Sequence, residues 1–354
     1  TPEIGILRAM GATRQGIRRI FVFQGLAIGV SGTALGCGLG QGALPMKWPE
    51  LPGDVFNSVS IPVGWRQIEP NEGEYDWDGC DAQIDWCLQQ GLLPRGGPLL
   101  DFGEGGLPDW LQAWAGDVEN LQSFVCDYVE TALSRYVGRV RTWEIASRVN
   151  TGGGLELDEE DRLTLLARVL DVARNVDGVD QLSVRIEQPW GGYQSKGEHL
   201  LSPLQFVDGL VRCAPALSGV GLEITLGYEP GDRGQRDLMD VSRLIDLWST
   251  LGLPLHVTLA CPGLAGDDPL ATSTRRVVEI AGVEDTWYED RQAAWTDSIL
   301  PLLLAKQGIT GITWAHLADA EPHEFPRAGL FTLEGSPRPV LETIRKQPWA
   351  FWSK

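Results

Sequence analysis

Residues 56–110 constrain the fold more than any other stretch. The run FNSVSIPVGWRQIEPNEGEYDWDGCDAQIDWCLQQGLLPRGGPLLDFGEGGLPDW predicts a buried strand at Phe56–Ile61 and a loop closed by Pro70-Asn71. An amphipathic helix at Gly79–Gln90 and a second strand at Leu92–Gly97 follow. Parallel strands cannot be joined by a tight turn; they need a crossover of a dozen or more residues, usually a helix. The stretch therefore reads as one strand–helix–strand step of an α/β sheet or barrel.

The same alternation runs on to the C-terminus. Strands are expected at Val140–Ala146, Gln181–Glu187, Gly219–Thr225, Leu255–Ala260 and Ile309–Ala315. Between and after them lie helical patterns at Leu121–Tyr136, Asp158–Asn175, Ser202–Cys213, Arg236–Leu251, Asp285–Gln307 and Pro339–Lys346. Short strands alternating with helices favour a (β/α)8 barrel over a doubly wound sheet. Only seven strands are convincing, so the barrel is expected to lack its first strand or to substitute Leu26–Thr33 for it. The open version is the favoured one, with an unpaired edge beside Phe56 and Ile309.

Charge divides the chain. Its net charge is −19, yet residues 1–47 carry Arg8, Arg14, Arg18, Arg19 and Lys47 against Glu3 alone. The acidic remainder argues against nucleic acid as a partner. Six cysteines are scattered without metal-ligand spacing, and no nucleotide-binding motif occurs, so no cofactor and no metal is expected. His256 reads as a core residue, and His199, His316 and His323 show no ligand spacing. Fourteen tryptophans suit both core packing and stacking on sugar rings.

The spacing WRQIEPxxGxYDWxxxDxxxxWCxxxGLxxRGxxL resembles family 10 glycoside hydrolases, the xylanase-type barrels, with the resemblance continuing to about residue 346. It implies a carbohydrate-active barrel that binds or hydrolyses a β-linked polysaccharide or oligosaccharide. Members of that family use two carboxyl groups, in motifs like WDVVNE and TELD. The first aligns with Trp143-Glu144-Ile145-Ala146-Ser147-Arg148 and puts Arg148 at the acid/base position; the second aligns with Thr258-Leu259-Ala260-Cys261 and puts Leu259 at the nucleophile position. Arginine stays charged near neutral pH and leucine cannot attack a bond. The expectation is a non-standard or inactive site.

Replacement acids are sought at the C-terminal ends of strands. Glu187, in IEQPWGGY, and Glu223 on the next strand are the candidate catalytic pair. Asp101, Trp143, Arg148, Trp190 and Trp314 are candidate substrate-binding residues; Asp101 is also the alternative partner for Glu187, and Asp319 at a strand end and Glu229 and Glu321 in adjoining loops are further acids that could replace the pair. The alternative for Glu187 is a structural acid bonded to loop amides, Arg185 or Arg148. Arg148 facing Glu187 or Glu223 would fill the vacated cleft as an ion pair.

Residues 1–41, TPEIGILRAMGATRQGIRRIFVFQGLAIGVSGTALGCGLGQ, resemble the C-terminal region of lipoprotein-releasing ABC transporter permeases. No charge occurs between Arg19 and Lys47, enough residues to cross a bilayer. This gives two domains, a permease-like segment at 1–50 and the barrel at 51–354. A membrane contact through residues 20–46 is expected, the preceding arginines leaving the barrel on the non-cytoplasmic side; a buried soluble helix, a loose arm or a mis-joined reading frame is the alternative. The second functional class is thus a membrane-anchored or permease-fused interaction module without catalysis.

Overall fold

The computed structural model describes residues 33–42, 55–197, 199–231 and 236–347. Parallel strands form the wall: β1 (Ala34–Gly38), β2 (Ser58–Ile61), β3 (Leu93–Gly96), β4 (Thr142–Ser147), β5 (Gln181–Ile186), β6 (Gly219–Thr225), β7 (Leu255–Ala260) and β8 (Ile309–Trp314). Leu100–Asp101 continues β3 after the Gly97-Pro98 interruption and pairs with Ala146 and Ser147. Each strand pairs with its sequence neighbour, and β8 pairs with β1, so the barrel closes.

After β2, every strand leads into a helix on the outside: α1 (Asp78–Gln89), α2 (Val118–Arg135), α3 (Glu159–Arg174), α4 (Pro203–Cys213), α5 (Leu238–Ser249), α6 (Asp285–Leu304) and α7 (Pro339–Arg345). Their starts follow local chemistry. Asp158 caps α3 by accepting from Asp161 N, with Glu159, Glu160 and Asp161 in the positive first turn. Ser202 and Gln205 cap α4 reciprocally, with Pro203 where no amide is needed.

The expectation of an open barrel is corrected by β1. Its register, Ala34 to Gly311 on one side and Gly36 to Ser58 on the other, joins β8 to β2. The strand lies just beyond the proposed substitute Leu26–Thr33, of which only Thr33 falls among the described residues. Its glycines have a steric reason. A Cβ on Gly38 would sit 2.0 Å from the Ala315 carbonyl oxygen, and one on Gly36 2.6 Å from Ser58 Oγ.

The barrel therefore begins before the expected boundary at residue 50, and the uncharged run 20–46 is not one lipid-spanning unit, because residues 34–38 are a stave of the wall. Residues 1–32 and 43–54, which include the rest of that expectation, lie outside the described residues. Among the described residues no helix is long and apolar enough to cross a membrane.

Candidate functional site at the barrel mouth

Parallel barrel strands all point the same way, so the side chains at their C-terminal ends converge on one mouth. Here β4 delivers Glu144 and, just past its end, Arg148; β5 delivers Arg185 and Glu187; β6 delivers Glu223. Two long connections, 261–284 after β7 and 315–338 after β8, fold over this mouth and supply Arg275 and Glu324.

The charged groups are tied to one another. Arg275 Nη2 lies 2.9 Å from Glu187 Oε1 and 2.5 Å from Glu223 Oε2, while its Nη1 lies 2.8 Å from Glu324. Arg185 reaches Glu324 at 2.7 Å, Glu144 at 2.9 Å and Glu223 at 3.4 Å. Arg185, Glu223, Arg275 and Glu324 thus form a closed ring in which guanidinium and carboxyl groups alternate. Arg95 extends it, donating to Ser183 at 2.7 Å and lying 3.5 Å from Glu144. Three arginines here meet four glutamates, so one negative charge is in excess. Burial lifts the Glu223 carboxyl to about 8 against the pull of Arg275 and Arg185, so near neutral pH it keeps a proton and offsets that excess. Burial would raise Glu324 too, but Arg185, Arg275 and Arg148 hold it well below the usual carboxylate range.

The two acids singled out from sequence are therefore brought together, sharing one guanidinium nitrogen. Glu187 is fixed further: Thr151 Oγ1 donates to its Oε2 at 2.8 Å, and the Asn150 amide clamps its backbone from both sides. Its cation is Arg275 rather than the expected Arg185 or Arg148. Arg148 is corrected likewise. It does not face Glu187 or Glu223 but makes a two-point bond to Asp101, with Nε 2.6 Å from Oδ1 and Nη2 on Oδ2.

The aromatic expectations divide. Trp143 is fully buried below the mouth, donating to the Val140 carbonyl with its ring over Gly96. Trp314 is buried and donates to the Ala328 carbonyl at 2.7 Å. Neither has a face open to a sugar; both are core. Trp190 is half-buried, with the Arg236 guanidinium 5.2 Å from its ring centre. Leu259 is buried in the core. His256 is half-buried, with a ring nitrogen 2.8 Å from Thr313 Oγ1, and desolvation, then Arg95 and Arg185, push its imidazole well below the usual range. Of the remaining acids, Asp319 bonds Arg338 at 2.7 Å and His316 at 2.9 Å, Glu321 is buried near Gly40, and the exposed Glu229 lies in a short antiparallel pair with Arg276.

His316, Asp319 and His323 offer ligand atoms within 4.8 Å of one another, a proximity that sequence spacing did not suggest. The two rings are stacked, 4.0 Å apart and 9° from parallel. Imidazole lone pairs lie in the ring plane, and nearly parallel planes carry them on lines that do not meet at one point. As they stand, the two rings cannot share an ion.

What stays open is a cleft of about 110 Å³ lined by Ser60, Gln67, Arg95, Asp101, Thr258 and Phe325 among others, below the about 300 Å³ at which ligand pockets begin. A larger depression of about 370 Å³ lies outside, among Thr164, Arg168 and Cys213, on the helices rather than at the strand ends.

Residues 54–154 match the glycosyl hydrolase family 10 model, and residues 1–65 match an FtsX-like permease C-terminal model. Xylanase 10B from Thermotoga maritima superposes with a TM-score of 0.66 at 15% identity, over 89% of this chain and 94% of that one. Xylanase B from Clostridium stercorarium does so at 0.65 and 15%, over 89% and 97%. The fold is that of the family 10 glycoside hydrolases. Among curated proteins, endo-1,4-beta-xylanase C from Paenibacillus barcinonensis is 31% identical over 136 residues, 35% of this chain and 12% of that protein. Endo-1,4-beta-xylanase B from Neocallimastix patriciarum is 23% identical over 206 residues, 56% of this chain and 23% of that protein. The chain thus spans under a quarter of these two xylanases. The permease-like match spans β1 and β2, and it overlaps the family 10 match only over residues 54–65, which contain β2.

Sequence reasoning missed Arg275 and Glu324. Both stand in long loops without periodicity, where only the folded contact between the loops brings them to the strand ends.

Proposed function

We propose that this chain is a β-glycan hydrolase-like barrel that binds a β-linked xylo- or gluco-oligosaccharide along the outer rim of the strand-end mouth, without cleaving it in the closed form. The interior cleft, of about 110 Å³, is too small to hold one. The observation that carries the reading is Arg275, whose one nitrogen occupies the space between Glu187 and Glu223. A retaining glycosidase needs two carboxyl groups about 5 Å apart with the scissile bond between them. With a guanidinium there, the pair serves as an ion-pair clamp. Arg148 and Leu259, at the positions where the family resemblance places its acid/base and nucleophile, supply neither role. Asp101, Arg148 and the half-buried Trp190 are the residues assigned to sugar contact.

The test is a titration of the whole chain with xylotriose and cellotriose, followed by NMR shifts or calorimetry near pH 6, with Asp101→Asn alongside. Saturable binding weakened by that change is the expected result; absence of any saturable signal from either sugar overturns the binding role. The permease-like match at residues 1–65 favours a second reading, an accessory module joined to a membrane component with its barrel on the non-cytoplasmic side. Detergent-free fractionation separates the two, since a chain found only in the aqueous fraction removes the anchor.

A further inference from the structure

The buried cations at the mouth are unequally paired. Arg95, on β3, lines the interior cleft and is 7% exposed. Its Nη2 donates to Ser183 Oγ, and the same nitrogen lies 3.5 Å from Glu144, its one carboxylate contact. Arg185 holds that carboxylate more closely, at 2.9 Å. The Nε and Nη1 atoms of Arg95 carry three N–H groups and have no partner among the described residues. Charges balance over the whole cluster, but Glu187, Glu223 and Glu324 all bind Arg275, and none of the three is in ion-pair contact with Arg95.

The imbalance is visible in the guanidinium groups themselves. Burial works against all of them. For Arg148, Arg185 and Arg275 neighbouring carboxylates outweigh it and raise the group above its ordinary value. For Arg95 burial prevails over the attraction of Glu144, Arg185 adds repulsion, and the group is lowered. His256 lines the same cleft, and after burial it is Arg95 and Arg185 that push its imidazole down. The field of these two arginines therefore reaches the cleft wall.

The groups left open on that wall are donors. Arg148 engages Asp101 through Nε and Nη2, and its Nη1 has no partner among the described residues. The same is true of the Ser60 and Thr258 hydroxyls, from β2 and β7. The acceptors on the wall are already taken: Asp101 by Arg148 and the Gly103 amide, Glu144 by Arg185, and Glu324 by Arg185 and Arg275. Water could satisfy the N–H groups of Arg95 but would leave a buried charge without a counter-ion of its own. Size narrows the choice further. A water's share of liquid volume is about 30 Å³, so a cleft of about 110 Å³ suits a molecule of only a few non-hydrogen atoms.

We propose that the interior cleft binds a small oxyanion, a carboxylate of the size of acetate, with Arg95 as its counter-ion and Arg148, Ser60 and Thr258 as further donors. A carboxylate only accepts hydrogen bonds, which matches a wall of open donors and occupied acceptors. The site lies inside the mouth, beneath the rim assigned to sugar contact, and does not rest on that assignment.

The experiment titrates the full chain with acetate at constant ionic strength near neutral pH, followed by NMR of the Arg95 Nε–H and the His256 ring. Acetamide, with the same shape and no charge, is titrated in parallel. Acetate should give saturable shifts at both reporters, and His256 should move toward its ordinary range, because a nearby negative charge favours the imidazolium. Acetamide should give no saturable shift. Arg95→Met, read at His256, should weaken acetate binding about tenfold or more, the worth of one charge-assisted hydrogen bond. Thr258→Val should weaken it less, and serves where Arg95→Met fails to fold. A wild-type response to acetate that never saturates, an equal response to acetamide, or acetate binding unchanged in the variants overturns the proposal. No sugar enters either titration, so this result and the functional reading can fail separately.

Discussion

Replacing Arg275 with Met tests how the mouth is held. The side chain is buried and binds Glu187, Glu223 and Glu324, and Met keeps much of its apolar stem without the charge. Removing one partner of a buried ion pair commonly costs about 3–5 kcal/mol, because the other partner is left unneutralised. Unfolding entropy near about 2.1 cal/mol/K per residue over a chain of this length converts that to a fall in Tm of about 4–7 °C at pH 7. The loss should shrink near pH 5, where protonation neutralises acids that lost their cation. Paired calorimetric scans of both proteins at pH 5 and pH 7 provide the assay. A variant as stable as the parent at pH 7, or one hurt more at pH 5, refutes the buried clamp.

Further outcomes follow from the same contacts. Gly38→Val should prevent proper closure, since its Cβ would start 2.0 Å from the Ala315 carbonyl; overpacking of this kind costs about 1–3 kcal/mol or more, and unchanged urea unfolding would remove β1 from the wall. Wild-type stability should fall as pH rises from about 5 to about 8. Glu223, lifted to about 8, and Glu321, lifted to about 7, hold a proton in the folded chain that the unfolded chain has released. Their contribution is complete below the unfolded value and lost through the folded one, with a limiting slope of about 1.4 kcal/mol per pH unit for each group. Below about pH 4 the sign reverses, because Asp319 and Glu324 are held low and folding then opposes their protonation. A Tm that rises steadily from pH 5 to pH 8 contradicts this assignment.

Most of the wall was legible in the sequence. The runs at Gln181, Gly219, Leu255 and Ile309 are apolar strands between capped helices, and the structure places β5 to β8 there. The first strand was hidden because its residues, ALGCG, are chosen by their neighbours. Gly36 and Gly38 yield to Ser58 and Ala315, and such glycines in an uncharged run carry no strand signal.

Glu187 and Glu223 could be found because a carboxylate ending an apolar strand stands out locally. Their partner could not: Arg275 sits in TSTRRV, where nothing in the sequence separates it from the exposed Arg276 beside it. Trp143 and Trp314 read from sequence as sugar contacts, yet their positions near strands are equally those of core residues. Burial decides this, and it depends on Gly96 making room for one ring and the Ala328 carbonyl accepting from the other.

The most direct test is the rate of aryl β-xyloside and soluble xylan hydrolysis at about pH 6, wild type beside Glu187→Gln. With Arg275 occupying the space between the acids, both proteins should release no sugar above the buffer rate. Turnover by the wild type that Glu187→Gln abolishes would contradict the account.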